Sequence, residues 1–354
     1  MSSEIIKALS ELAQSKGLSS DDLMEVLKNG IFVAVTKHMD GADNIEVEID
    51  RKEQEIKVYK IMTVVRNVQD ELSEISVRDA LREDPKVMLG DQIKVEFSLE
   101  SLGRGAIQTA RQIILQCIND MSRNRIFEDF SKKVGDLVTG VIQQFERGNM
   151  LIRLGKEEAF LPIEEQIPMQ RFKRGDNIKA LIMEVNQGGK GHQIILSRTH
   201  PDFLKRLFEL EVNEIYEGIV EIKKVVRDPG KGAIVSVVSF DPKIEAVGAC
   251  VGIRGFRVEN IKRELGGEKI QVVHYNDDPA TYIREAMKNV KTMDVILDEV
   301  NHGAKVIVRD EDHSKAIGIN GSNASLVARL TGWNINIITE SESLNSDSQK
   351  AEEI

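Results

Sequence analysis

The amino-acid sequence predicts a mixed α+β chain of several small domains in series: an α/β unit, an all-β barrel, and two copies of one small α/β module. Three observations carry this prediction. A Gly-x-x-Gly turn set between two helical stripes occurs twice, with Gly252 and Gly318 66 residues apart, and a short apolar strand follows each copy. Residues 135–200 break into short apolar runs separated by turn residues. Residues 1–130 combine long helical periodicity with one strictly alternating stretch.

In chain order, residues 4–16 place Ile5, Leu9, Leu12 and Ala13 on one helical stripe. Ser19-Ser20-Asp21-Asp22 is an N-cap signal for a second helix that runs to about His38, with Leu23, Val26, Leu27, Ile31, Ala34 and Val35 on its apolar side. Alternation over residues 44–50 and 55–61 predicts a hairpin turned at Arg51-Lys52-Glu53, and residues 91–97 read as a further strand. Residues 105–130 return to helix, with Ile107, Ala110, Ile114, Cys117, Ile118 and Met121 on one side, and close a first domain at 1–130.

Five strands are expected next, at 137–142, 150–154, 158–162, 177–185 and 193–197. They suit a closed OB barrel over 131–200, and on pattern alone another small barrel fits equally well. Aromatic residues are only 5% of the chain, so base stacking there falls to a few side chains. Phe145, Phe160 and Phe172 are the candidates, with the core reading the stronger one for Phe160, inside an apolar strand, and Trp333 reads as a packing residue. The helix at 201–208 leads into the first Gly-x-x-Gly module with no Gly/Ser/Pro-rich linker, which points to a continuous, fairly rigid rod.

The first module centres on Gly252, Ile253, Arg254 and Gly255, with Phe256, Val258, Ile261 and Leu265 recurring after them at helical spacing on a buried face. Glycines at such a turn keep side chains away, so a phosphate backbone can approach the main chain and the positive end of the following helix. Arg254, Arg257 and Lys262 supply charge. In the second copy the turn is Gly318, Ile319, Asn320 and Gly321, with Lys315 and Arg329 on the flanking helices. A single Gly-x-x-Gly is weak evidence, because glycine pairs close many helix hairpins for steric reasons. Its repetition, each time followed by a strand, reads as two tandem prokaryotic-type (type II) KH domains at 201–276 and 277–340, each an RNA clamp.

The net charge of −10 argues against indiscriminate nucleic-acid binding, so distribution matters more than the sum. Residues 1–130 hold 17 basic against 24 acidic residues and suit a protein partner; residues 221–276 hold 10 against 7 and are locally positive. Cys117 and Cys250 are far apart in helical surroundings, which fits core packing in a reducing compartment. No run of 18 apolar residues occurs, and a cytoplasmic monomer is expected. Neither Gly188-Gly189-Lys190-Gly191 nor Pro229-Gly230-Lys231-Gly232 completes a nucleotide P-loop, and both read as turns. The six histidines and two cysteines lack metal-site spacing, and Asp277-Asp278 and Asp310-Glu311-Asp312 read as exposed loops. No catalytic residue, metal or cofactor is expected. Residues 341–354 are polar, aperiodic and expected to be disordered.

The order helical domain, barrel, Gly-x-x-Gly module, Gly-x-x-Gly module resembles the bacterial NusA family of transcription elongation, termination and antitermination factors, over about residues 5–338. The resemblance rests on Val247-Gly248-Ala249-Cys250-Val251-Gly252-Ile253-Arg254-Gly255 with Gly267-Glu268-Lys269-Ile270, on Asp277-Asp278-Pro279-Ala280, and on Leu330-Thr331-Gly332-Trp333. Gln108-Thr109-Ala110-Arg111-Gln112 and Leu196-Ser197-Arg198-Thr199 add to it. It implies that residues 1–130 dock on RNA polymerase and that the barrel, of S1 type, and the KH pair hold nascent single-stranded RNA, acting with other elongation and antitermination factors in pausing, termination and antitermination. The second loop departs from the family in lacking a basic residue. Two other readings are an RNA-processing protein of the exoribonuclease kind, in which KH precedes S1 after a catalytic core, and a ribosome-assembly protein.

Overall fold

The computed structural model describes residues 11–12, 16–39, 44–50, 55–70, 72–97, 103–188 and 191–344. The chain divides into two compact units, 1–129 and 130–354. The expected stripe residues Ile5, Leu9 and Ala13, the turn Arg51-Lys52-Glu53, Gly189-Lys190 and the tail beyond 344 lie outside the described residues.

In the first unit, α1 (Ser20–His38) starts at a reciprocal cap. Ser19 Oγ accepts from the Asp22 N–H at 3.1 Å, and the Asp22 carboxylate accepts from the Ser19 N–H at 2.9 Å. The expected hairpin is β1 (Ile45–Asp50) antiparallel to β2 (Glu55–Val65), with Val47 opposite Val58. β2 runs further than its alternation suggested, because it also pairs with β3 (Glu74–Ser76) and β4 (Gln92–Phe97). β3 and the short α2 (Val77–Glu83) are additions to the sequence reading; three residues are too few to show a period. α3 (Gly103–Ser131) closes the unit's core by setting Ile114 and Ile118 against Leu27, Ile31 and Val35 of α1.

The second unit begins with β5 (Leu137–Glu146), β6 (Asn149–Leu154), β7 (Glu157–Leu161), β8 (Asn177–Val185) and β9 (Ile194–Ser197). They close in the order β5-β6-β7-β9-β8, the barrel the sequence suggested. Ala159 and Leu161 of β7 are buried inside it. Successive strand residues point to opposite faces, so Phe160 between them is on the outside. That corrects its reading as core: the ring is half-buried and stacked on His192 at 4.2 Å.

α4 (Pro201–Glu211) buries Phe203, Leu204, Leu207 and Phe208, and a single turn, α5 (Asn213–Tyr216), follows. The first Gly-x-x-Gly module is β10 (Val220–Asp228), β11 (Gly232–Ser239), α6 (Ala246–Val251), α7 (Phe256–Glu264) and β12 (Lys269–His274). The second is α8 (Pro279–Ala286), β13 (Thr292–Asp298), β14 (Gly303–Val308), α9 (His313–Ile317), α10 (Ser322–Thr331) and β15 (Asn334–Thr339). In each, the middle strand pairs antiparallel with the one before it and parallel with the one after. The repeat extends to a register shift early in the first strand, at Ile222/Lys224 and at Thr292/Asp294.

Barrel and first module share one core, in which Ile167 and Leu181 pack with Phe203 and Phe208. Arg198, 1% exposed, donates to the Glu264 carboxylate at 3.0 Å, the Glu264 carbonyl at 2.7 Å, Gln170 Oε1 at 3.1 Å and the Lys179 carbonyl. Beside it, Arg227 and Glu268 form a fully buried two-pronged ion pair at 2.7 and 2.9 Å. Arg227 also donates to the Arg198 carbonyl at 2.6 Å, while its own carbonyl accepts from Arg329 of α10 at 3.1 Å. The lack of a flexible linker in the sequence thus corresponds to a hydrogen-bonded joint from barrel through first module to second.

Candidate nucleic-acid interface

The two Gly-x-x-Gly turns have the same backbone. Gly252 and Gly318 have φ/ψ of 74/176° and 74/172°, Arg254 and Asn320 of 54/27° and 51/34°, Gly255 and Gly321 of 77/12° and 75/10°. Three of the four positions therefore lie at positive φ, where a β-carbon is normally penalised.

The glycines at the two ends have different reasons. A β-carbon on Gly252 would lie 2.8 Å from Arg257 Cγ, and one on Gly318 2.9 Å from the Asn323 backbone N, so these glycines let the turn fold back onto its own helix. Gly255 and Gly321 have nothing within 4 Å of that position. They leave open space in front of α7 and α10, whose first turns carry no side-chain cap. Uncapped N–H groups at the positive end of a helix, reached without steric hindrance, suit a phosphate.

The third position explains the missing charge of the second loop. Asn is among the few side chains that enter the left-handed region cheaply, so Asn320 meets the backbone requirement that Arg254 meets at greater cost. Arg254 is exposed at the turn. At the second position, Ile253 and Ile319 are 87% and 83% exposed, and Phe256, first residue of α7, is 63% exposed where α10 has Ser322. Sequence reading placed Phe256 on a buried face; at the very start of the helix it projects beyond the core instead.

Arg257 does not reach out as expected. Its guanidinium donates to Glu214 at 2.8 Å and to the Ala249 carbonyl at 2.5 Å, tying α7 to α5 and to the end of α6. Burial pushes the Glu214 carboxyl up, but a backbone hydrogen bond and the Arg257 guanidinium outweigh it and hold the group below its ordinary value. Arg329 is likewise spent, on the Arg227 carbonyl, and eight residues of helix at 1.5 Å each put it about 12 Å from Gly321. Lys262 pairs with Glu259 at 3.2 Å, one turn back on the same helix. Lys315 is exposed just ahead of the second loop and, among the described residues, pairs with no acid.

On the barrel, Phe145 is 44% exposed near the β5–β6 turn, as a stacking surface requires. Phe172 is half-buried at the joint with the Arg198 guanidinium 5.3 Å from its ring centre, which occupies a face a base would need. One ring face of Phe172 is left for stacking, and the Phe160–His192 pair adds a second partly exposed aromatic surface on the barrel. The signal for Phe160 was legible in the alternation of β7. Among the described residues no cluster of three His, Cys, Asp or Glu side chains could hold a metal, and no helix is long and apolar enough to cross a membrane.

Comparison with known proteins matches the NusA N-terminal domain over residues 4–124, the S1 RNA binding domain over 131–198, the NusA-like first KH domain over 198–275 and the NusA-like second KH domain over 279–345. The chain is 40% identical over 342 residues to the transcription termination/antitermination protein NusA of Bacillus subtilis, covering 97% of this chain and 92% of that one. It is 36% identical over 346 residues to the protein of the same name from Thermus thermophilus, covering 95% and 89%.

Proposed function

Because the chain belongs to the NusA family of transcription termination/antitermination proteins, we propose that it is a non-catalytic factor that docks on RNA polymerase and holds nascent single-stranded RNA, modulating pausing, termination and antitermination. In this reading the division is 1–130 for polymerase, 131–200, 201–276 and 277–340 for RNA, with 341–354 a tail. The work is cytoplasmic, alongside other elongation factors.

The observation that carries the RNA reading is the pair of matched turns, each opening onto an uncapped helix start with free space above its last glycine. Phosphates sit on the helix starts, Arg254 and Lys315 add charge, and the exposed Ile253, Ile319 and Phe256 offer apolar contact to base faces. The surplus of acid in residues 1–130 complements a basic partner face and speeds association more than it tightens it.

The test uses paired substitutions that separate charge from shape. Asn and Asp both tolerate the left-handed backbone and fill the same space, so Gly255→Asn with Gly321→Asn should lower RNA affinity only by the bulk added above the helix starts. Gly255→Asp with Gly321→Asp should lower it at least about tenfold, since two carboxylates would sit where phosphates bind. Equal affinities in fluorescence anisotropy would reject the clamps. Separately, residues 1–130 should retain core polymerase in a pull-down without RNA; co-purification of the full chain with ribosomal subunits instead would favour the assembly reading.

A further inference from the structure

A groove of about 630 Å³ opens where the two Gly-x-x-Gly modules meet, and neither turn contributes to its lining. Trp333, on its wall, follows the far end of α10, and ten residues of helix put that end about 15 Å from Gly321. The volume is that of a small-molecule site. Its lining is unlike the rest of the chain: aromatic residues are 5% overall, yet four of the twelve lining side chains are Phe240, Tyr275, Tyr282 and Trp333.

Phe240, Tyr275 and Trp333 are at least partly accessible, and Tyr282 backs them from within the fold. Phe240 is 65% exposed with Lys223 Nζ 5.7 Å from its ring centre; Tyr275 stands edge-on against the buried Tyr282 at 5.3 Å. Charge is divided across the groove. Lys223 is paired with Glu221 at 2.6 Å, whereas Lys224 is exposed and, among the described residues, pairs with no acid. Asn276 and Asp277 also line the site, and Asp277 lies beside the Tyr275 hydroxyl.

A purely apolar ligand would leave Lys224 without a role, and a simple anion would meet Asp277 and need no rings. A flat heterocycle carrying a phosphate uses all of them. We propose that this groove binds a nucleotide, its base against Phe240 and Trp333, its polar edge toward Asn276 and Asp277, and its phosphate on Lys224. The nucleotide can be one residue of an RNA strand or a free mononucleotide; the first case rests on the RNA reading above.

Trp333 is the chain's single tryptophan, so its emission reports on this wall of the groove and on the His302 ring packed edge-on against it. The experiment titrates the full chain with 5′-mononucleotides and, separately, with a fluorescein-labelled single-stranded RNA oligonucleotide, reading tryptophan emission and RNA anisotropy. Saturable quenching is expected, and Phe240→Ala and Lys224→Ala should each weaken it about tenfold, the loss of one stack or one charged contact. Both side chains are exposed, so both variants should fold. Quenching by the oligonucleotide alone assigns the groove to the strand; quenching by mononucleotides that RNA does not displace assigns it to a free nucleotide. Emission unmoved by either, or quenching indifferent to both substitutions, overturns the proposal. If anisotropy still rises in that case, the RNA reading stands without the groove; if it stays flat, that reading fails as well.

Discussion

Arg254, on the turn, and Arg257, three positions on in α7, have opposite occupations, one exposed and the other bonded within the fold. Arg257 joins three elements, so Arg257→Met should destabilise the protein by about 1.5–3 kcal/mol, the scale of a hydrogen bond to a charged group. The pH dependence follows from Glu214. Its folded value lies below the ordinary 4.5, so the stabilisation is present above about pH 4.5 and is lost as pH falls through the lower folded value. Denaturant melts should show the gap between wild type and variant wide near neutrality and narrowing only in acid; a gap that widens in acid would contradict the pairing. The turn itself was legible in the sequence, because glycine spacing is a local property. The role of Arg257 was not, because Glu214 approaches from 43 residues away.

At the scale of elements, Gly30 shows how packing overrides propensity. It lies inside α1, where Gly→Ala would normally stabilise by about 0.5–1 kcal/mol. A β-carbon there would lie 2.4 Å from Ile114 Cγ1, where α1 crosses α3 and Ile114 is fully buried. Overpacking costs about 1–3 kcal/mol, so Gly30→Ala should lower the denaturation midpoint; a raised midpoint would show that the helices can part without penalty. The capped start of α1, the long α3 and all five barrel strands were readable from caps and periods. β3 and α2 were not: a strand of three residues exists only because the longer β2 offers it an edge.

At the scale of the whole second unit, barrel and modules act through the Arg198, Arg227, Glu264 and Glu268 cluster. Removing one partner of a buried ion pair costs about 3–5 kcal/mol, because the other charge is stranded. Glu268→Ala should therefore lower stability on that scale and weaken RNA binding by loosening the joint; a change under about 1 kcal/mol would mean that water or relaxation rescues Arg227. The same architecture sets two clamps of one backbone on a shared frame, differing at the third position between Arg254 and Asn320. Each phosphate contact on single-stranded nucleic acid contributes a slope of about −0.7 to log K against log salt. With Arg257 committed inside the fold, only one contact should be lost from the first loop. The measurement that bears most directly on this is the salt dependence of RNA anisotropy for three forms of the full chain. Arg254→Asn should flatten the wild-type slope by about 0.7, and Asn320→Arg should steepen it by about the same amount. Slopes unchanged in both exchanges would contradict the claim that these turns hold phosphate.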